Sequence, residues 1–161
     1  MLIGYAGRNY TNPDEFDRAS MTAESGSVDK DVAILQLNSK KTPDKIKHFL
    51  DIEDAYTGVL VPMKQQLTTI GYPSGLWRSL DFKSKSMEPT IRESKVSKVP
   101  NRFTFELQDH TVGGASGSPV FFSNGSLAGV MSMSIGANET AATSGVCDAK
   151  YLLELYNAEV K

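Results

Sequence analysis

The chain has 161 residues, 40% of them apolar and 22% charged, which is enough for one domain of ordinary size and unlike a disordered or membrane composition. A formal net charge of −2 gives no electrostatic reason to expect nucleic acid or an anionic membrane as partner, and no apolar run approaches the roughly eighteen residues of a membrane span. Cys147 is the single cysteine, which excludes an intrachain disulfide, and no secretory apolar region opens the chain.

Residues 1–30 are polar and poorly periodic, with a short strand expected at 2–6 and a turn at Asn12-Pro13-Asp14. The first strong signal is Asp31-Val32-Ala33-Ile34-Leu35-Gln36-Leu37, an aliphatic and β-branched run that reads as a largely buried strand with an acid at its mouth. Residues 40–54 are charged, with Ile46, Phe49 and Leu50 at helical spacing, and read as a loop or one exposed helical turn. Strands are expected at 59–62, 67–75, 78–82, 95–99 and 103–107, separated by Pro and Gly. Short strands at this spacing indicate an all-β barrel or sandwich. The segment 149–156 carries its apolar residues on one face and Asp148 in N-cap position, the pattern of a helix.

Before that helix stands Gly113-Gly114-Ala115-Ser116-Gly117-Ser118-Pro119, followed by a strand at 120–122, a turn at Ser123-Asn124-Gly125-Ser126 and a returning strand at 127–132. A serine is thus delivered on a glycine-flanked loop onto a rigid hairpin. Nucleophilic acyl transfer needs such an exposed oxygen beside two backbone N–H groups aimed at the developing oxyanion, and Gly114 and Ser116 are spaced to supply them.

Gly114-Ala-Ser-Gly-Ser-Pro-Val-Phe121 resembles the nucleophile loop of trypsin-like, chymotrypsin-fold serine peptidases, and most the bacterial glutamyl-endopeptidase and Deg/HtrA-like branches. Asp31 to Leu37 is similar to the strand carrying the triad aspartate, and Ile70-Gly71-Tyr72-Pro73 to the first strand of the second barrel. The run 129–134 is similar to the strand that pairs with the substrate backbone. The terminal helix matches too, all in family order, with Asp31 lying 85 residues before Ser116 (116 − 31).

The resemblance implies a double β-barrel. Residues 1–66 would be a remnant of the first barrel carrying the triad acid, and 67–161 the second barrel with the nucleophile loop. It implies Ser116 as nucleophile, Asp31 as the acid orienting an imidazole, and an oxyanion hole from the N–H groups of Gly114 and Ser116. His110, Thr111, Ser132, Met133 and Ser134 would bind the substrate, a protein or peptide, and neither metal nor organic cofactor is required.

The template breaks at the general base. The family places its histidine about 45 residues before the aspartate. Only thirty residues precede Asp31 here, and none is histidine. His48 falls in a charged segment after Asp31. His110, six residues before Ser116, falls on the wall of the specificity pocket rather than beside the nucleophile. Without a base a serine hydroxyl is a weak nucleophile, so the chain is expected to be inactive alone, with Met1 a truncated start. Two other readings stand beside this one: a catalytically dead module that binds extended peptides by strand addition, and a non-functional fragment. No acid occupies the pocket-base position held by His110, so a Lys or Arg preference is not implied. Met131 stands where glutamyl endopeptidases carry a histidine, which leaves the primary specificity open. Ala115 replaces the acid that precedes the serine in the digestive enzymes, so activation through a freed N-terminus is not implied.

Overall fold

The computed structural model describes residues 16–20, 32, 34–37, 48–55, 58–73, 80–81, 86–87, 89–109, 112–135 and 143–159. Strands β1 (Phe16–Ser20) and β2 (Ile34–Leu37) pair antiparallel, Phe16 facing Leu37, and form the described part of the N-terminal portion. A short helix α1 (Ile52–Ala55) follows. Strands β3 (Gln66–Gly71), β4 (Leu80–Asp81), β5 (Ser86–Met87), β6 (Thr90–Lys98), β7 (Thr104–Leu107), β8 (Pro119–Phe121), β9 (Leu127–Ile135) and β10 (Thr143–Asp148) come next, and helix α2 (Ala149–Glu159) ends the described chain.

Six of these strands close into an antiparallel barrel in the order β10-β7-β6-β3-β8-β9, while β4 and β5 form a separate hairpin. Side chains alternate across a strand, and β3 and β6 show this: Leu67 and Thr69 of β3 and Ser94 and Val96 of β6 point inward, their neighbours outward. Phe105, Leu107, Val120, Met131 and Val146 complete the barrel interior. Each such fully buried large side chain contributes about 1.5–3 kcal/mol. A second cluster packs α2 against the barrel through Ile52, Leu127, Ala149 and Leu152, with Val32 against it. All-β architecture with one terminal helix is what the sequence implied, and the closed barrel with α2 agrees with a chymotrypsin-like fold whose first barrel is partial.

Several elements differ from expectation. Residues 58–62 form no strand: Val59 and Leu60 are exposed, and of that apolar run only Val61 enters the core. The strand expected at 95–99 begins at Thr90, because its six-residue ladder with β3 runs from Thr90 facing Gly71 to Lys95 facing Gln66. Strands β1, β5 and β10 were not anticipated; β10 exists because it fills the gap between β7 and β9 and so closes the barrel. The segments at 2–6 and 12–14 lie outside the described residues.

Candidate active site

Residues 112–118 form two consecutive turns that share Ala115. In the first, the Ala115 N–H donates to the Val112 carbonyl at 3.4 Å and Gly114, third in the turn, has φ +94°. In the second, the Ser118 N–H donates to the Ala115 carbonyl at 3.0 Å and Gly117, again third, has φ +85°. A type II turn demands a left-handed residue at its third position, which is why glycine recurs three residues apart. Ser116 takes the second position, at the outward corner, and is exposed. Ala115 points the other way, only 5% exposed within the barrel core.

The loop is held from two sides. The Gly117 N–H donates to the Met131 carbonyl and the Met131 N–H to the Ser118 carbonyl, both at 2.8 Å, joining the loop to β9. Buried Ser118 lies against Gly71 of β3 so closely that a Cβ on Gly71 would sit 1.9 Å from Ser118 Oγ. A glycine inside a strand marks this kind of close approach. That signal was present in the sequence, but its partner 47 positions later (118 − 71) was not.

Strand β9 carries an irregularity at the site. Its register against β10 shifts so that Met133 faces Gly145 and Met131 faces Val146, leaving Ser132 as an inserted residue. Successive carbonyls of a regular strand face opposite edges, and a bulge breaks the alternation. Two consecutive carbonyls therefore face the loop: Met131 O accepts the Gly117 N–H, and Ser132 O accepts the Ser116 hydroxyl at 3.0 Å. Ladder pairing of β9 with β8 ends at Val130 facing Pro119, so among the described residues no strand covers that edge from Ser132 to Ile135.

The backbone donors are divided unevenly. The N–H groups of Ala115, Gly117 and Ser118 are all committed, whereas among the described residues those of Gly114 and Ser116 donate to no acceptor. An exposed hydroxyl thus sits beside two uncommitted amides on a loop that cannot readily shift, the arrangement acyl transfer uses to receive an oxyanion.

Of the other residues singled out from sequence, Ser132 is buried in β9, and Met133 and Ser134 continue its backbone. Asp31, His110 and Thr111 lie outside the described residues. Val32, the neighbour of Asp31, packs on the cluster containing Leu127, at the start of β9. His48 is exposed ahead of α1. A cavity of about 20 Å³ beneath the loop is lined by Ala115, Ser118, Met131, Thr69, Ser94 and Ser144. It has room for about one water and is too small for a substrate side chain. Among the described residues no group of three or more His, Cys, Asp and Glu is arranged to hold a metal ion. The family model described as Trypsin matches residues 7–151. A search of the curated proteins finds no match.

Proposed function

Because the chain belongs to the trypsin family, with protein or peptide as the substrate class that membership implies, we infer that it carries serine-endopeptidase chemistry with Ser116 as its nucleophile. The observation that carries this reading is the pair of uncommitted N–H groups, Gly114 and Ser116, flanking an exposed hydroxyl on the double turn. In the reaction, Ser116 Oγ bonds to the scissile carbonyl carbon while its proton passes to a base, and the carbonyl oxygen becomes an oxyanion held by the two amides. Collapse expels the amine, which takes the proton, and water then hydrolyses the acyl-enzyme by the same route. Each oxyanion donor is worth about 3 kcal/mol in such a site.

Asp31 is the acid that orients the base in this reading. Its support is that Val32, one residue and about 3.8 Å of chain away, packs at the start of β9. The division into a first-barrel remnant, 1–66, and a second barrel, 67–161, belongs to the same reading, as does kinship with the glutamyl-endopeptidase and Deg/HtrA-like branches. The chain's two histidines, His48 and His110, both follow Asp31, so the family's base is not among these residues and the chain turns over peptides poorly by itself. A base supplied from solution makes this testable. A fluorophosphonate probe should label the 161-residue chain faster in the presence of imidazole, and the Ser116→Ala variant should not label. Equal labelling of both proteins would remove Ser116 from the mechanism.

A second reading is favoured by one observation: the ladder of β9 with β8 ends at Val130, and among the described residues no further strand pairs with β9 on that side. An extended peptide adding there as a further strand would be bound by main-chain hydrogen bonds, without being cleaved. Saturable peptide binding with no imidazole-dependent labelling of Ser116 would favour it.

A further inference from the structure

The cavity beneath the 112–118 loop collects polar groups that the barrel leaves without partners. Thr69, Ser94 and Ser118 line it, and each is more than nine-tenths buried. Ser144 lines it too, but its hydroxyl donates to the Asp109 carbonyl. The Ser94 oxygen accepts the Asp109 N–H at 3.2 Å and keeps its own proton to give. Among the described residues the hydroxyls of Thr69 and Ser118 have no hydrogen-bond partner, and that of Ser94 has no acceptor. Three buried hydroxyls, from β3, β6 and the loop, thus line one space of about 20 Å³. We propose that this space is a binding site for a single water molecule, held by Thr69, Ser94 and Ser118, which pins the loop carrying Ser116 to the barrel wall.

The physical basis is the cost of burying a hydroxyl without a partner. A water offers two protons and two lone pairs, so it can serve all three side chains at once, with Ser94 as a donor. Buried waters commonly make about three such bonds, and a polar space of this volume holds one. The same volume is too small for a polyatomic ion. The lining also carries both the Arg92 guanidinium and the Asp109 carboxyl, so neither sign of ion is favoured. Of the three hydroxyls only that of Ser118 belongs to the loop, whose described backbone bonds run within itself and to Met131 of β9. A water on the Ser118 side chain adds an attachment to β3 and β6, two strands those bonds do not reach.

Water oxygen-17 relaxation dispersion on the 161-residue chain counts the waters held for longer than the protein takes to tumble. Thr69→Val/Ser118→Ala removes two of the three partners, and the dispersion amplitude should fall by one water relative to wild type. Thr69→Ile suits a strand and puts a methyl group into the space, so it should show the same loss even where the double variant does not fold. A wild-type amplitude in Thr69→Ile, or in a folded double variant, would overturn the site. Amide hydrogen exchange tests the pin. Thr69→Val keeps the shape of residue 69 and leaves the loop's own sequence intact. In it the Gly117 and Ser118 amides should exchange about three- to ten-fold faster, the equivalent of one net hydrogen bond, while the amides of β10 keep their rates. Loop amides at wild-type rates, or an acceleration shared equally by β10, would overturn the pinning of the loop.

Discussion

A methyl group at Gly71 would lie 1.9 Å from Ser118 Oγ and 2.7 Å from its Cβ, so Gly71→Ala must displace Ser118 or push β3 away from the 112–118 loop. Overpacking of this kind costs about 1–3 kcal/mol. A fall of that size in urea-derived stability is expected, together with slower imidazole-dependent labelling of Ser116. Three glycines of the loop separate just as sharply. Gly114 and Gly117 hold left-handed angles and pay about 1–2 kcal/mol each on replacement by alanine. Gly113 has open space where its Cβ would be, and its alanine variant should stay within about 0.5 kcal/mol of wild type by the same urea measurement. The turn glycines were legible because a turn is a local demand that the next two residues satisfy. The partnership of Gly71 with Ser118 was not, since it joins β3 to a loop far along the chain, and neither was the bulge at Ser132, which depends on register against β10.

At the level of the element, helix α2 begins where β10 ends, on Asp148. Its carboxylate accepts the Lys150 N–H at 2.7 Å, and its own N–H donates to the Phe103 carbonyl at 2.7 Å. Burial pushes the Asp148 carboxyl up to about 6, against the opposing pull of the Lys150 N–H and ammonium, with Glu154 adding to the rise. A carboxyl whose folded value exceeds its ordinary 3.8 favours the folded state fully below that value and loses the contribution as pH rises through about 6. Urea-unfolding stability should therefore decline between pH 4 and 7 from this group, and Asp148→Asn, which keeps an N-cap acceptor, should flatten the decline. The helix itself was plain in the sequence because its apolar spacing and its cap are both local. Strand β10 was not, for Thr143-Ser-Gly-Val-Cys-Asp148 has no β-branched run or alternation strong enough to announce it. The opposite error at 59–62 has the same origin: an apolar run looks like a strand, but here only Val61 enters the barrel core while Val59 and Leu60 stay exposed, and the segment is irregular.

Across the whole molecule, two clusters divide the labour. One fills the barrel; the other, through Ile52, Leu127, Ala149 and Leu152, fastens α1 and α2 to its outside and takes in Val32 from the N-terminal portion. Ile52 is 2% exposed, and Ile52→Ala should cost about 2–5 kcal/mol in urea unfolding, because the cavity it leaves joins α1 to Leu127 and Leu152. The barrel was readable as a family pattern, while the way the N-terminal portion attaches depends on contacts remote in sequence. Ala115 ties the double turn to the barrel core. Its amide and carbonyl close both turns, and its methyl group is sealed among the aliphatic residues of the barrel. Transplanting residues 112–118 as a cyclic peptide, or onto a foreign hairpin, would thus reproduce the spelling of the loop and none of its aim, because the direction of the hydroxyl is inherited from oil-like packing on the far side of the same residue.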